Sequence, residues 1–338
     1  MAERPQALDR AIGALAGVAV GDALGMPSQT FPRQKIAETY GHITDFVAPC
    51  EGHPVSHGLP AAAITDDTEQ TLLLARLLVR SPGRFDDLEW ARTLIAWEAD
   101  VRERGLRDLL GPSTKRAFEA LLSGVDASET GRAGTTNGAA MRVAPVAIVT
   151  PSGSVAALVD RVEEACRVTH NTREAIAAAA AVAMVVSRGV DGADFTSALP
   201  AALEAAREGA RRGAPVGESD MAGRIEAALD IAAHGTEAEL ARTIGTSVAS
   251  RESVAAAFGV VRLAGGDPWK AAVIAANIGD DTDTIGAIAG AMAGACSGAA
   301  GFPRDKLQRI VTVNRLDLEE LALALLDLRR MRTVEAAG

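Results

Sequence analysis

The chain is expected to be an all-α protein, one compact multi-helix domain over residues 1–338, and three observations carry that expectation. Of 338 residues 48% are hydrophobic, enough to bury a large core, yet only 3% are aromatic. Ala and Gly abound where a sheet would use β-branched and aromatic residues, which favours helices packed through small side chains. Segments with helical apolar spacing alternate with Gly, Pro or short polar breaks, and no unit repeats at a fixed period.

Taken in order, Leu8 to Leu24 reads as a helix stopped by the turn Gly21 to Pro27, where Gly and Pro supply the break. Gln29 to Ala63 is rich in Pro, Gly and His without a sustained period, an unusual length for a structureless connection and therefore a hint of function. Helical spacing resumes at Thr65 and continues to Arg80, then from Asp86 to Arg104 and from Pro112 to Leu122. A Gly-rich loop, Gly131 to Gly138, precedes an apolar run from Ala139 to Val149. Further helices are expected at Val155–Thr169, Arg173–Arg188, Thr196–Arg212, Ser219–Ala233, Glu237–Ile244, Val254–Leu263 and Trp269–Asn277. In the last large helix Gly286, Gly290, Gly294 and Gly298 form a stripe at every fourth position. Each glycine costs up to about 1 kcal/mol relative to Ala in a helix, so close contact with a neighbouring backbone is expected in compensation.

A formal charge of −10 argues against a partner such as duplex nucleic acid, whose phosphates are gathered by clustered Lys and Arg. Cys50, Cys166 and Cys296 suit neither a disulfide framework nor a CxxC knuckle, and a reducing cytoplasm is the simplest compartment. Ala11 to Val20 resembles a signal-peptide core but leads to no small-residue cleavage site. Ile285 to Phe302 is long and uncharged, but its Gly, Ala and Ser suit a buried helix better than a bilayer, so no membrane partner is expected.

Two acidic clusters, Thr65-Asp66-Asp67-Thr68 and Asp280-Asp281-Thr282-Asp283-Thr284, each stand at the start of an apolar helix. Either one alone reads as helix capping, with Asp66 as N-cap and Glu69 three residues on as a capping-box variant. Together they read differently, because adjacent carboxylates repel unless cations neutralise them. Oxygen ligands without nearby His or Cys suit Mg²⁺ or Mn²⁺, and four carboxylates with flanking threonines could bridge two such ions. Cys50, His53 and His57 lack the paired spacing of a zinc site. His170 fits either a core or helix-end histidine or a ring that meets a base or phosphate. Gly131 to Arg142, with Asn137 and Arg142, could cradle a phosphate or ribose through freed backbone N–H groups, although it matches no Walker or Rossmann fingerprint.

From about Ile12 to Gly298 the chain resembles the ADP-ribosylglycohydrolases, the group that includes the dinitrogenase-reductase-activating glycohydrolase. The residues carrying the resemblance are Gly21 to Gly25 (GDALG), Thr65 to Thr68 (TDDT), Asn137 to Arg142 (NGAAMR), His170, and Asp281 to Gly286 (DTDTIG). The resemblance implies an all-α fold with a dinuclear Mg²⁺ or Mn²⁺ site in a central cleft, ligated by Thr65, Asp66, Asp67, Asp281, Asp283 and Thr284. It implies a substrate pocket for the ribose and its attached diphosphate or base, lined by Asn137, Gly138, Met141, Arg142 and His170, with Asp22 and Gln29 beside them. Two departures stand out. Many family members carry a Glu shortly after the GDxxG turn, where this chain has Met26 to Gln29, and the last metal motif usually follows Gly-Gly, where this chain has Gly279-Asp280.

The activity expected from these readings is hydrolysis of an N-glycosidic bond to ribose, with Asp66, Asp67 and Asp283 as the catalytic carboxylates and Asp67 able to take a proton from water. An ADP-ribosylated protein is the expected substrate. A small nucleoside or N-riboside, a metal-dependent phosphohydrolase and a non-catalytic member of the fold are the alternatives.

Overall fold

In the computed structural model residues 5–83, 85–105 and 111–337 are described. Among them are seventeen α-helices and, apart from three isolated bridges, no β-structure. In order they are α1 (Gln6–Gly25), α2 (Arg33–Tyr40), α3 (Asp66–Arg80), α4 (Asp87–Glu103), α5 (Pro112–Leu122), α6 (Gly138–Met141), α7 (Ala144–Val149), α8 (Val155–His170) and α9 (Arg173–Val190). There follow α10 (Phe195–Gly209), α11 (Met221–His234), α12 (Glu237–Ile244), α13 (Ser250–Leu263), α14 (Pro268–Ala276), α15 (Thr282–Ser297), α16 (Arg304–Asn314) and α17 (Leu318–Ala337).

The molecule is organised around the antiparallel pair α1 and α15. The glycine stripe of α15 meets a second stripe on α1, Gly13, Gly17, Gly21 and Gly25, also at every fourth position. A Cβ on Gly17 would lie 1.9 Å from the carbonyl oxygen of Gly290, and one on Gly21 would lie 1.9 Å from that of Gly286. The backbones therefore touch, and the stripe serves packing inside the chain. Gly298 is the exception within the stripe, since it ends α15 with φ +80° instead of packing inside it. At the other end of the contact a Cβ on Gly25 would come 2.4 Å from Cα of Asp283. This register sets the C-terminal turn of α1 against the N-terminus of α15.

Around this pair lies α9, whose run Glu174 to Ser187 is wholly buried, so it is covered on every side by neighbouring helices. The C-terminal helix α17 is tied down by Arg329, whose guanidinium donates to the carbonyls of Ala147, Ile148, Thr150 and Ser187 and pairs with Asp191 at 2.6 Å.

The element expectations hold in kind and shift at their edges. The sequence Gly21 to Gly25 is the last turn of α1, and the chain reverses only over Met26 to Thr30, because these glycines are used for close approach inside a helix. The long segment from Gln29 to Ala63 contains α2. The apolar run after Gly138 is two short helices, α6 and α7. The helices α16 and α17 were not anticipated. No described helix is long and apolar enough to cross a membrane.

Candidate active site

The N-termini of α3 and α15 and the short helix α6 meet at a cavity of about 180 Å³. Asp66, Asp281, Asp283 and Thr284 line one part of it, Thr136, Asn137, Gly138 and Met141 another, and Gln29, Thr30, Val55, Gly111, Pro112, Thr114 and Val248 the rest of its wall. Asp67 and Thr65 are buried immediately behind, at 1% and 0% exposure.

Capping does not account for the carboxylates. The N-cap of α3 is Thr65, one residue earlier than expected, and neither it nor Asp281 at the start of α15 makes a side-chain capping bond. Glu69 turns away to accept from the Trp97 indole at 2.6 Å and to pair with Arg104. The cap of α3 comes from another helix. Asp22, in the last turn of α1, accepts from the backbone N–H groups of Thr65 (2.9 Å) and Thr68 (3.2 Å) and from both threonine hydroxyls. Thr65 thus gives its hydroxyl proton to Asp22 and keeps its lone pairs for another partner.

Burial and mutual repulsion govern the charges. Burial, followed by the nearby carboxylates, pushes Asp66, Asp67 and Asp283 well above the usual carboxylate range. Asp281 is raised to about 6 by burial, against hydrogen bonds from Asn137 and Thr284 that act to lower it. Asp22 is raised to about 6 by burial despite its four donors. Asp67 Oδ2 has the Thr284 hydroxyl at 3.4 Å, whereas its Oδ1 is buried with no hydrogen-bond partner among the described residues.

Such an orphaned oxygen, among hard oxygen donors whose charges repel, fits a divalent cation of the Mg²⁺ or Mn²⁺ kind. Among the described residues no three acidic, histidine or cysteine side chains converge at the spacing of a single ion; the carboxylates stand around the cavity.

The other expected site residues are distributed unevenly. Asn137 points at the acidic cluster, donating to Asp281 Oδ2 and to Ser253 Oγ (2.9 Å). Gln29 reaches the cavity with its amide held by Ser56 Oγ at 2.8 Å. Arg142 and His170 are 1% and 0% exposed and lie behind the wall. Arg142 donates to Gln70 and Thr169 and sits 5.5 Å from the centre of the Trp90 ring. His170 touches the Thr136 and Thr169 hydroxyls, and Asp22 is fully occupied by α3. The glycines at 131 and 134 serve close packing against the end of α8, where a Cβ would come 2.2 Å from Arg167 O and 2.1 Å from Thr169 O.

Asp280, at φ +56°, accepts from Thr246 Oγ1 at 2.8 Å and pairs through its backbone with Thr30 and Phe31. It is exposed and stands outside the cavity wall. His53 is buried against Phe31, its Nδ1 accepting from Val55 and Ser56, and Cys50 is a free thiol half-buried in the same loop. Thr30, Gly111, Pro112, Thr114 and Val248 are wall residues that the sequence reading missed, whereas Thr136 falls inside the segment Gly131 to Arg142 that the sequence had singled out.

An all-helical body whose central helix pair gathers acidic helix starts around one small cavity defines a class of hydrolase, and comparison with known proteins identifies it. The family model described as ADP-ribosylglycohydrolase matches residues 3–335, and the chain belongs to that family of glycohydrolases. It is 34% identical over 329 residues to the Escherichia coli protein called uncharacterized protein YegU, covering 96% of this chain and 98% of that one. It is 31% identical over 333 residues to the ADP-ribosylarginine hydrolase Tri1 of Pseudomonas putida, covering 95% of this chain and 79% of that protein. A solved structure titled ADP-ribosylglycohydrolase-related protein complex superposes with a TM-score of 0.71 at 28% identity, covering 96% of this chain and 99% of the other.

Proposed function

We propose that this glycohydrolase removes ADP-ribose from arginine side chains of modified proteins, using two Mg²⁺ or Mn²⁺ ions held by Thr65, Asp66, Asp67, Asp281, Asp283 and Thr284. The observation that carries the reading is the meeting at one cavity of two acidic helix starts whose N-cap side chains make no capping bond, with Asp67 Oδ1 buried and without a partner among the described residues. The described wall bears three carboxylates and no Lys, Arg or His, which suits a cationic guanidinium entering beside the ribose.

When bound, such ions neutralise the carboxylates, hold vicinal hydroxyls and lower the pKa of a water. The residues of the chain then have separable tasks. Asp67, set just behind the cavity, would hold the ions through its orphaned Oδ1, and its carboxylate is the group proposed to take a proton from the attacking water. Asp66 and Asp283 face the cavity and stabilise the positive charge that develops on the ribose ring as the C–N bond breaks. Asn137 holds Asp281 in place. The water oxygen ends on the anomeric carbon and a proton ends on the departing nitrogen, leaving ADP-ribose and arginine.

A second reading has one observation in its favour. The cavity, about 180 Å³, is smaller than the ~300–1,000 Å³ of typical ligand pockets, which suits a small N-riboside. The test is release of reducing ribose from an ADP-ribosyl-arginine peptide and from a plain riboside, side by side, with a chelated control. Metal-dependent cleavage of the peptide supports the proposal, cleavage of the riboside alone replaces it with the second reading, and phosphate release without sugar overturns both. Asp67→Ala and Asp283→Ala should each abolish turnover and weaken metal binding while leaving the helical CD spectrum intact.

A further inference from the structure

We infer that Asn314, at the C-terminal end of α16, is a positioning residue of the active site: its side-chain amide fixes the backbone from Ala62 to Ile64 and thereby sets Thr65 and Asp66 where they hold the ions. This rests on the metal reading proposed above. No residue of α16 lines the cavity, so Asn314 acts through the segment it grips.

The grip is a two-point match to main chain. Asn314 Oδ1 accepts from the Ile64 N–H at 3.2 Å, and Nδ2 donates to Ala62 O at 2.8 Å and to Ile310 O, one turn back in its own helix, at 3.0 Å. A backbone N–H only donates and a carbonyl only accepts, so one orientation of the amide satisfies all three partners. Ile64 and Asn314 stand 250 residues apart in the chain.

Ala62 shows why a grip is needed there. The turn Pro60 to Ala63 is closed by the Ala63 N–H donating to Pro60 O at 3.1 Å, and Ala62 occupies its third place at φ +69°, fully buried. That place favours glycine, and an alanine persists in it only where its surroundings over-determine it. Asn314 holds the carbonyl of this strained residue and, two residues on, the N–H of Ile64. The next N–H, that of Thr65, goes to Asp22 of α1 at 2.9 Å. Successive peptide groups at the entrance to α3 are thus pinned from opposite ends of the chain. A turn that relaxed at Ala62 would rotate the backbone immediately ahead of Thr65 and Asp66.

The rest of α16 serves the same loop. Of its 11 residues only Ile310 is buried, so the helix adds little to the core. Lys306 pairs with Asp45 at 2.6 Å and the Arg309 guanidinium sits 5.7 Å from the centre of the Phe46 ring, near the start of the segment whose end Asn314 holds. That segment carries Val55 into the cavity wall.

The test is the affinity for Mn²⁺, by calorimetry, of wild type, Asn314→Ala, Ala62→Gly and the double variant, each well below its melting temperature. There the measurement reads folded protein, so a general loss of stability leaves it unmoved. Asn314→Ala should weaken Mn²⁺ binding by roughly tenfold or more, because only the fraction of molecules that keeps the left-handed turn binds well. Ala62→Gly alone should stay within about twofold of wild type, and in the double variant glycine, at ease in that turn, should recover about fivefold of the loss. Unchanged affinity in Asn314→Ala, or no recovery in the double variant, overturns the inference and leaves the metal reading standing. Hydrogen exchange of metal-free wild type needs no variant: the Ile64 amide should exchange at least about a hundredfold more slowly than an open loop amide. Fast exchange there overturns the grip even if Asn314→Ala does not fold. Absence of Mn²⁺ binding by wild type overturns the inference together with the metal reading.

Discussion

The helix starts at Thr65 and at Asp281 look alike in sequence, and the protein holds them by different means. The first is held by a side chain: Asp22, reaching across from α1, accepts two backbone N–H groups and two hydroxyls at the start of α3. The second is held chiefly by main chain, with side-chain bonds from Asn137 to Asp281 and from Thr282 Oγ1 to Gly25 O beside it. Gly279 and Asp280 take left-handed backbone conformations, Asp280 pairs with Thr30 and Phe31, Asp281 N–H donates to Thr246 O, and the glycines of α15 lock against α1. One motif thus depends on a single carboxylate and the other mostly on backbone contacts that glycine allows. A carboxylate pair in sequence says nothing about which anchoring it will receive.

That difference orders the expected effects of perturbation. The largest should come from Gly290→Val, since a Cβ there would stand 2.1 Å from Gly17 O. Overpacking of a backbone contact that cannot yield should cost on the order of 3 kcal/mol or more, visible as loss of a cooperative thermal transition. A native-like melt would show that the α1–α15 contact can open, and the main-chain account of the second cluster would fail.

Next is Asp22→Asn, which keeps the volume but leaves about two of the four donors facing an amide N–H₂. The expected loss is about 2–4 kcal/mol in denaturant unfolding, with a fall in divalent-metal affinity measured by calorimetry because Thr65 and Asp66 lose their support. Normal metal affinity in this variant would remove Asp22 from the support of the site.

Chelation should lower the stability of wild type by about 2.7 kcal/mol relative to protein with metal at a hundredfold over its Kd. The same comparison in Asp283→Ala should show almost no difference, which a thermal shift assay reads directly. A cation-induced shift of equal size in that variant would mean the ions bind elsewhere.

The smallest effect belongs to Asp280→Gly. Glycine would relieve the backbone conformation at φ +56° but would give up the hydrogen bond from Thr246 Oγ1. The two changes should cancel to within about 1 kcal/mol, with little change in kcat. A large loss of activity would instead place the Asp280 carboxylate in the function of the site.

Much of this was legible in the chain. Local apolar periodicity and punctuation by Gly and Pro mark helices such as α5 and α12, because hydrogen bonding within a helix is settled by near neighbours. The acidic clusters were legible as well, since several carboxylates in a few residues demand an explanation that capping did not supply. Partnership was not legible. The stripe on α15 asked for a close neighbour, but nothing local identified α1, whose Gly21 to Gly25 reads equally well as a turn. Asp22 and Thr65 are far apart in sequence, and His170 meets Thr136 only after α8 folds back on the Gly-rich loop. Helices and charge clusters are written in short-range patterns; the donor that satisfies each acceptor is chosen by packing, which joins residues with no signal of each other in the sequence.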